Sequence, residues 1–245
     1  MPVEPEIQLE DMFTNSAHIY DLVYSFKDYQ KESKEIIDAI KQESPESKTL
    51  LDIGCGTAEH HKFLKTEYSI EGLDINSEFI EVAKAKNPGL IYHQGDMADF
   101  SLNKRYDVVI CLFSSIGYVK TFDKLVSTLK RFYGHLYPGG LAIVEPWLTP
   151  ESWQDRKLHM LTYDKEDLKI CRINLGETQN GLSILNFHYL IGDPANGVKH
   201  FKERHELALF TKEEMMNAFT ESGFDVTYDA TGITGRGLYF GKKNP

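Results

Sequence analysis

Cysteine is scarce in this chain: Cys55, Cys111 and Cys171 are the three in 245 residues, widely spaced and set in apolar runs. Disulfide staples and a zinc site with closely spaced ligands are thereby excluded as organising features, and reduced thiols in a cytoplasmic protein are expected. Positive charge is short as well, with Lys+Arg 27 against Asp+Glu 37 and a net charge of −10. A protein that tracks nucleic-acid phosphates needs the opposite balance, so no nucleic acid is expected as the main partner. No run approaches the roughly 18 apolar residues of a membrane span, and the opening "MPVEPEIQLEDMF" is acidic without an apolar segment. Neither membrane spanning nor secretion is expected. Internal repeats and Gly/Ser-rich or Pro-rich linkers are also missing, which favours one continuous fold. What the chain does have is 41% hydrophobic content, enough core to fold without staples.

Periodicity predicts an α/β protein. Apolar residues recur at helical spacing from Ile19 to Gln42, a pair of helices placed before the sheet. Short strand-like runs follow, "TLLDIG", "SIEGLDI", "LIYHQGD", "YDVVICLFS" and "LAIVEPW", alternating with the amphipathic segments "SEFIEVAKAK" and "FDKLVSTLKRFYGHL". Ser77 is the expected N-cap of the first of these helices. Strand, helix, strand in this order predicts a parallel sheet with helices on both faces. After Pro150 the pattern turns β-rich, with Asn180-Gly181 as a hairpin turn. A last helix opens on a Thr211/Glu214 capping box and stops at Gly223, and "DVTYDATG" and "GLYFGKK" close the chain as two strands antiparallel to their neighbours. The expected organisation is a helical lid segment (1–45), a nucleotide-type core (46–150), an antiparallel β elaboration on the substrate side (151–210) and a C-terminal helix with strands completing the core (211–245).

The stretch "LLDIGCGTAEHH" reads as a buried strand breaking into a glycine turn and a helix, the way a nucleotide-like cofactor is held. A dinucleotide fingerprint needs a third glycine and a helix N-terminus that receives a pyrophosphate. Here Gly54 and Gly56 are present but the third position is Glu59, whose carboxylate would repel that group. S-adenosylmethionine carries a cationic sulfonium and no phosphate, so an acidic start at Asp52 with two glycines suffices. Asp74, 22 residues past Asp52, ends the second strand, where a carboxylate can accept both ribose hydroxyls. Asp96 ends the third strand, where it can take an adenine amino group while Met97 supplies an amide and an apolar contact. Two acids at successive strand ends are the more selective signal.

On these residues, and on "GDMADFSL", "FSSIGYV", "GGLAIVEPW", "LFTKEEM…AFTESGF" and "GITGRGLYFG", the chain resembles the class I S-adenosylmethionine-dependent methyltransferases. Within them it is similar to the N,N-dimethyltransferases of dTDP-linked deoxyamino sugars, of desosamine and mycaminose type. The resemblance implies a Rossmann-like sheet, mostly parallel with an antiparallel last strand, plus an antiparallel β elaboration. It implies Gly54, Asp74, Asp96, Met97 and the Leu112 backbone for the cofactor, with Tyr20 and Lys27 on its methionine end. For the amino sugar it implies Tyr118 and Arg236, for the nucleotide diphosphate Arg172, and a substrate contact at Trp147. In two places the chain departs from the pattern: Met12 or Phe13 stands where a tyrosine is expected, and Trp147-Leu148 replaces Trp-Trp. A homodimer is compatible with the sequence, and the partner is expected to be a small molecule, with no membrane and no metal.

Blander readings attach to single residues. His60 and His61 are adjacent on a helix, so their rings point apart and a metal site is not expected. Tyr118 could be a packed aromatic, and the run from Lys199 to His205 reads as a solvated strand face with phosphate contact as its minority reading. Methyl transfer to an amine needs alignment above all, so Tyr118 and Arg236 are assigned positioning before proton transfer. Methylation of another small amine or hydroxyl compound, a non-catalytic cofactor-binding module and a dehydrogenase are the competing functions.

Overall fold

The computed structural model describes Phe13 and residues 16–245. In chain order its helices are α1 (Tyr20–Val23), α2 (Tyr29–Glu43), α3 (His61–Leu64), α4 (Ser77–Lys86), α5 (Phe122–Gly134) and α6 (Lys212–Glu221). Its strands are β1 (Thr49–Ile53), β2 (Ser69–Asp74), β3 (Ile91–Gln94), β4 (Tyr106–Cys111), β5 (Leu136–Val144), β6 (Leu158–Lys165), β7 (Leu168–Gln179), β8 (Leu182–Asp193), β9 (Gly197–Ala208), β10 (Phe224–Asp229) and β11 (Leu238–Lys243). The chain forms two units, a larger one of residues 28–152 and 208–245 and a smaller one whose described residues are Phe13, 16–27 and 153–207.

The larger unit is built on a sheet of order β10-β11-β5-β4-β1-β2-β3. β1 through β5 pair in parallel, and β11 enters antiparallel between β5 and β10. The strands read as near-continuous apolar runs because helices cover both faces. Leu51, Ile53, Val109, Cys111, Ala142 and Val144 meet Leu125, Leu129 and Phe132 of α5 and Met215, Ala218 and Phe219 of α6. Their alternating neighbours Leu50, Val108, Ile110, Leu141 and Ile143 meet Ile36 and Ile40 of α2 and Leu64 of α3. These contacts place α2 in the larger unit, so the expected 1–45 segment divides between Lys27 and Asp28.

Local signals set the helix ends. Thr211 and Glu214 form a reciprocal capping box on α6, at 2.8 and 3.1 Å. The cap of α4 lies one residue earlier than expected: Asn76 accepts the Phe79 N–H at 3.0 Å, and its extended backbone leaves Ser77 as the first helical residue.

The smaller unit carries an antiparallel sheet of order β6-β7-β8-β9. Asn180 and Gly181 both have positive φ, 53° and 78°, as a two-residue primed turn requires. The run from Lys199 to His205 is not a solvated face throughout. His200 and Lys202 are exposed, but Glu203 and His205 are 1% and 0% exposed on the opposite side of the strand. Glu203 tolerates burial because it accepts the Ser16 N–H at 3.0 Å and the Ser16 hydroxyl at 2.8 Å. The His205 ring packs on Phe187 and Phe13 at 4.7 and 4.5 Å between centroids.

Candidate active site

The glycine turn follows β1 at the carboxyl edge of the parallel sheet, where ligands of open α/β sheets collect. Gly54 has φ +69°, and a Cβ there would lie 2.7 Å from the Ser115 Cβ. Only glycine fits both the left-handed backbone and that approach. Asp74, the last residue of β2, is buried and turned into the turn: its Oδ2 accepts the Gly56 N–H at 2.8 Å and its Oδ1 accepts the Asn76 N–H at 2.9 Å. Burial, reinforced by the nearby Asp52, pushes its carboxyl up to about 6 despite these donors. Asp96 is exposed just beyond β3 and accepts the Ala98 N–H at 2.8 Å. Met97 is half-buried, its Cε 3.6 Å from the position of a Gly54 Cβ, and Leu112 is buried beyond β4. The turn and strand ends thus bring Gly54, Gly56, Asp74, Asp96, Met97 and Leu112 to one edge.

Asp52 is engaged behind this edge. Its Oδ2 hydrogen-bonds His61 Nε2 at 3.0 Å, and His61 Nδ1 bonds the Tyr92 hydroxyl at 3.0 Å, with the imidazole stacked on the phenol. His60 turns away to Glu32 at 2.9 Å and packs edge-on against Tyr29. Among the described residues no group of three or more His, Cys, Asp or Glu is arranged to hold a metal. Glu59 is not a free carboxylate at the turn. Its carboxylate is held by Lys62 and Lys86, each at 2.6 Å, and although burial opposes it these two lysines keep it below the usual carboxylate range. A neutralised Glu59 repels nothing strongly. Asp74, a buried acid held by backbone N–H groups, is placed as the ribose-accepting acid of nucleotide-type cofactors in general. The choice of S-adenosylmethionine over a dinucleotide therefore rests on the missing third glycine and on Asp96 at the next strand end.

A second cluster lies at the ends of β4 and β5. Phe113 and Ser114 have φ of 50° and 66°, consecutive left-handed residues that are not glycine. Such positions cost on the order of 1–3 kcal/mol each and persist only where the surroundings hold them. Glu145, 2% exposed, accepts the Phe113 N–H at 2.7 Å and the Thr234 hydroxyl. The Ser114 hydroxyl donates to the Pro146 carbonyl at 2.7 Å and receives Arg236 Nη1 at 2.9 Å. The Arg236 guanidinium lies 5.0 Å over the Trp147 ring and 5.8 Å from that of Phe113. Tyr118, half-buried, belongs to the 3-10 turn Ser115–Val119 that follows. Ser115 packs on Gly54, so the cluster and the glycine turn touch. The sequence reading missed Ser114, Glu145 and Thr234. One signal was available: Glu145 is a third acid directly after an apolar strand.

The remaining expected residues lie in the smaller unit. Tyr20 is half-buried, edge-on to Phe13 at 5.8 Å and tilted on Tyr24 at 4.7 Å. Lys27 is half-buried at the end of that segment, its N–H bonded to the Tyr24 carbonyl. Arg172 differs from the expectation of a phosphate-facing cation. It is 7% exposed, Nη1 donates to the Tyr24 hydroxyl at 2.8 Å, and the guanidinium stacks 4.3 Å from the Phe187 ring. Its position on β7 points it to the inner face, opposite Tyr189 of β8. Met12 lies outside the described residues; Phe13 is half-buried.

A parallel sheet with an antiparallel strand inserted at its end, a glycine turn after β1 and acids at successive strand ends define a class I S-adenosylmethionine-dependent methyltransferase. Residues 50–140 match a methyltransferase domain family. A dTDP-3-amino-3,6-dideoxy-alpha-D-glucopyranose N,N-dimethyltransferase from Streptomyces fradiae is 35% identical over 92% of this chain and 89% of its own length. The crystal structure of Streptomyces venezuelae DesVI superposes with a TM-score of 0.88 at 34% identity, covering 93% of this chain and 98% of that one. The S-adenosylmethionine-bound structure of CalS10, an amino pentose methyltransferase from Micromonospora echinaspora, superposes with a TM-score of 0.84 at 28% identity over the full length of both chains. The chain belongs to the S-adenosylmethionine-dependent N-methyltransferase family that these relatives represent. No helix among the described residues is long and apolar enough to cross a membrane.

Proposed function

We propose that the enzyme N,N-dimethylates the amino group of a dTDP-linked deoxyamino sugar. The observation that carries this reading is the contact of Ser115 with Gly54, which sets the cluster of Tyr118, Trp147 and Arg236 directly beside the glycine turn. A methyl donor at the turn and an acceptor at the cluster would then share one edge of the sheet. Bound S-adenosylmethionine supplies the electrophilic methyl group. Gly54, Gly56, Leu112 and Met97 would shape the cradle for it, Asp74 would accept its ribose hydroxyls, and Asp96 would receive its adenine amino group. Arg236 and Trp147 would hold the sugar, and Tyr118 would orient the amine.

Orientation is the main contribution asked of these side chains, because an amine that has lost its excess proton to solvent is already a competent nucleophile. Repeating the alignment on the monomethylated amine gives the tertiary product. The test is incubation with S-adenosylmethionine and a panel of dTDP-3-amino and dTDP-4-amino sugars, read by mass. Addition of two methyl groups to a panel member is the expected result. Methylation confined to amines or alcohols without a nucleotide would replace the proposed acceptor while leaving the methyltransferase class intact. Arg236→Ala should lower kcat/KM for the sugar by roughly ten- to a hundredfold with little change in cofactor affinity.

A further inference from the structure

We infer that Glu145 is a positioning residue of the acceptor site, acting through the two loops that it joins; this rests on the proposed function for the identity of the acceptor. One carboxylate oxygen takes the N–H of Phe113 and the other the hydroxyl of Thr234, so a single buried side chain at the end of β5 ties the loop after β4 to the loop before β11. Both loops carry residues assigned to the acceptor. The first runs on through Ser114 to Tyr118, and the second continues to Arg236, which returns to Ser114 at 2.9 Å and closes the circuit.

The circuit explains how an unfavourable backbone is kept. Two adjacent side chains with left-handed backbone are held only while the surrounding contacts over-determine them. Here the Phe113 N–H bond to Glu145 and the Ser114 hydroxyl bond to the Pro146 carbonyl do so from the same end of β5. A charged acceptor suits this task better than an amide, since it receives two donors without presenting one of its own. Glu145 spends both oxygens on the protein, so its assigned role is geometry and not proton transfer.

Glu145→Ala, Glu145→Gln, Thr234→Val and Thr234→Ser test the inference through hydrogen exchange and kinetics. In Glu145→Ala, amide exchange should quicken together in residues 113–118 and 231–237 while Leu112 and the interior of the sheet keep their protection. The kcat/KM for the sugar should fall by roughly a hundredfold, the scale of a misplacement of about 1 Å, with S-adenosylmethionine affinity held within about twofold. Thr234→Val should produce a smaller version of the same pattern, and Thr234→Ser, which keeps the hydroxyl, should restore it. If Glu145→Ala does not fold, Glu145→Gln and Thr234→Val carry the test. Unchanged exchange in both loops, exchange that rises equally across the whole sheet, or a loss of cofactor affinity equal to the loss of kcat/KM would each overturn the inference. A wild-type enzyme that methylates no amino sugar would defeat the proposed acceptor, and the exchange pattern would still decide the role of Glu145.

Discussion

In the larger unit the acids at strand ends, Asp74 and Glu145, are satisfied chiefly by N–H groups of the loops beside them, Gly56, Asn76 and Phe113. In the smaller unit Arg172, Glu203 and His205 are buried along long antiparallel strands. Two of them draw partners from far along the chain, Tyr24 for Arg172 and Ser16 for Glu203, while His205 lies 3.5 Å from Glu203 on its own strand. Arg172 Nε has no hydrogen-bond partner among the described residues. Position along the strand decides the outcome. Asp52 and Glu71 of the larger unit also lie inside strands, and they too rely on side chains: His61 for Asp52, and His93, Lys104 and Tyr106 for Glu71. At a strand end the adjoining loops offer N–H groups to an acid, whereas a charge inside a strand also needs side-chain partners.

That contrast is broken most forcefully at His61. His61→Leu strands Asp52 in a buried position without its imidazole partner, and leaving a buried charge unpaired costs on the order of 3–5 kcal/mol. Calorimetric unfolding should show the loss, and adding Asp52→Asn should recover part of it. A loss of His61 that left the melting temperature unchanged would mean that Asp52 finds a partner elsewhere.

Glu203→Ala makes the opposite change, removing the charge itself. Two hydrogen bonds from Ser16 and the 3.5 Å contact with His205 disappear while no carboxylate is left buried, so the expected cost is smaller, about 1.5–3 kcal/mol. Limited proteolysis should register it as faster cleavage near Ser16, with the larger unit still protected. Equal cleavage in both units would show that burial of Glu203 supports more than its own sheet.

Asp74 tests the strand-end class. Its carboxyl lies at about 6 because of burial, and the proposed ribose contact would require the ionised form, so protons should compete with S-adenosylmethionine below that pH. Affinity measured by calorimetry should be flat above about pH 7 and weaken by up to tenfold per pH unit below about 6. Asp74→Ala should lower affinity by about 1.5–3 kcal/mol and abolish that slope. The effect on folding has the opposite sign. A carboxyl raised above its unfolded value contributes stability that is complete below the ordinary aspartate range and is lost as pH rises through about 6. The ligand-free protein therefore loses this contribution over the window in which it gains cofactor affinity.

Tyr118→Phe should have the smallest effect, less than about tenfold in kcat/KM, with the pH–rate profile unchanged. A loss of several orders of magnitude together with a missing limb of the profile would make Tyr118 a general base and replace orientation as the principal source of catalysis.

The sequence by itself determined the elements whose instructions are local. Apolar runs with short spacing specified β1 to β5, Thr211 and Glu214 specified the start of α6, Asn180-Gly181 specified the β7–β8 hairpin, and the spacing from Gly54 to Asp74 and Asp96 marked strand ends that share one edge of the sheet. The tertiary structure alone decided the partner of each buried polar group: His61 for Asp52, two lysines for Glu59, aromatic rings around Arg172, and the inward half of the run from Lys199 to His205. The physical reason is range. A cap, a turn or a strand is written in residues that are neighbours along the chain, whereas burying a charge requires a donor or acceptor that folding brings from elsewhere, 89 residues away for Glu145 and Thr234 and 187 for Ser16 and Glu203.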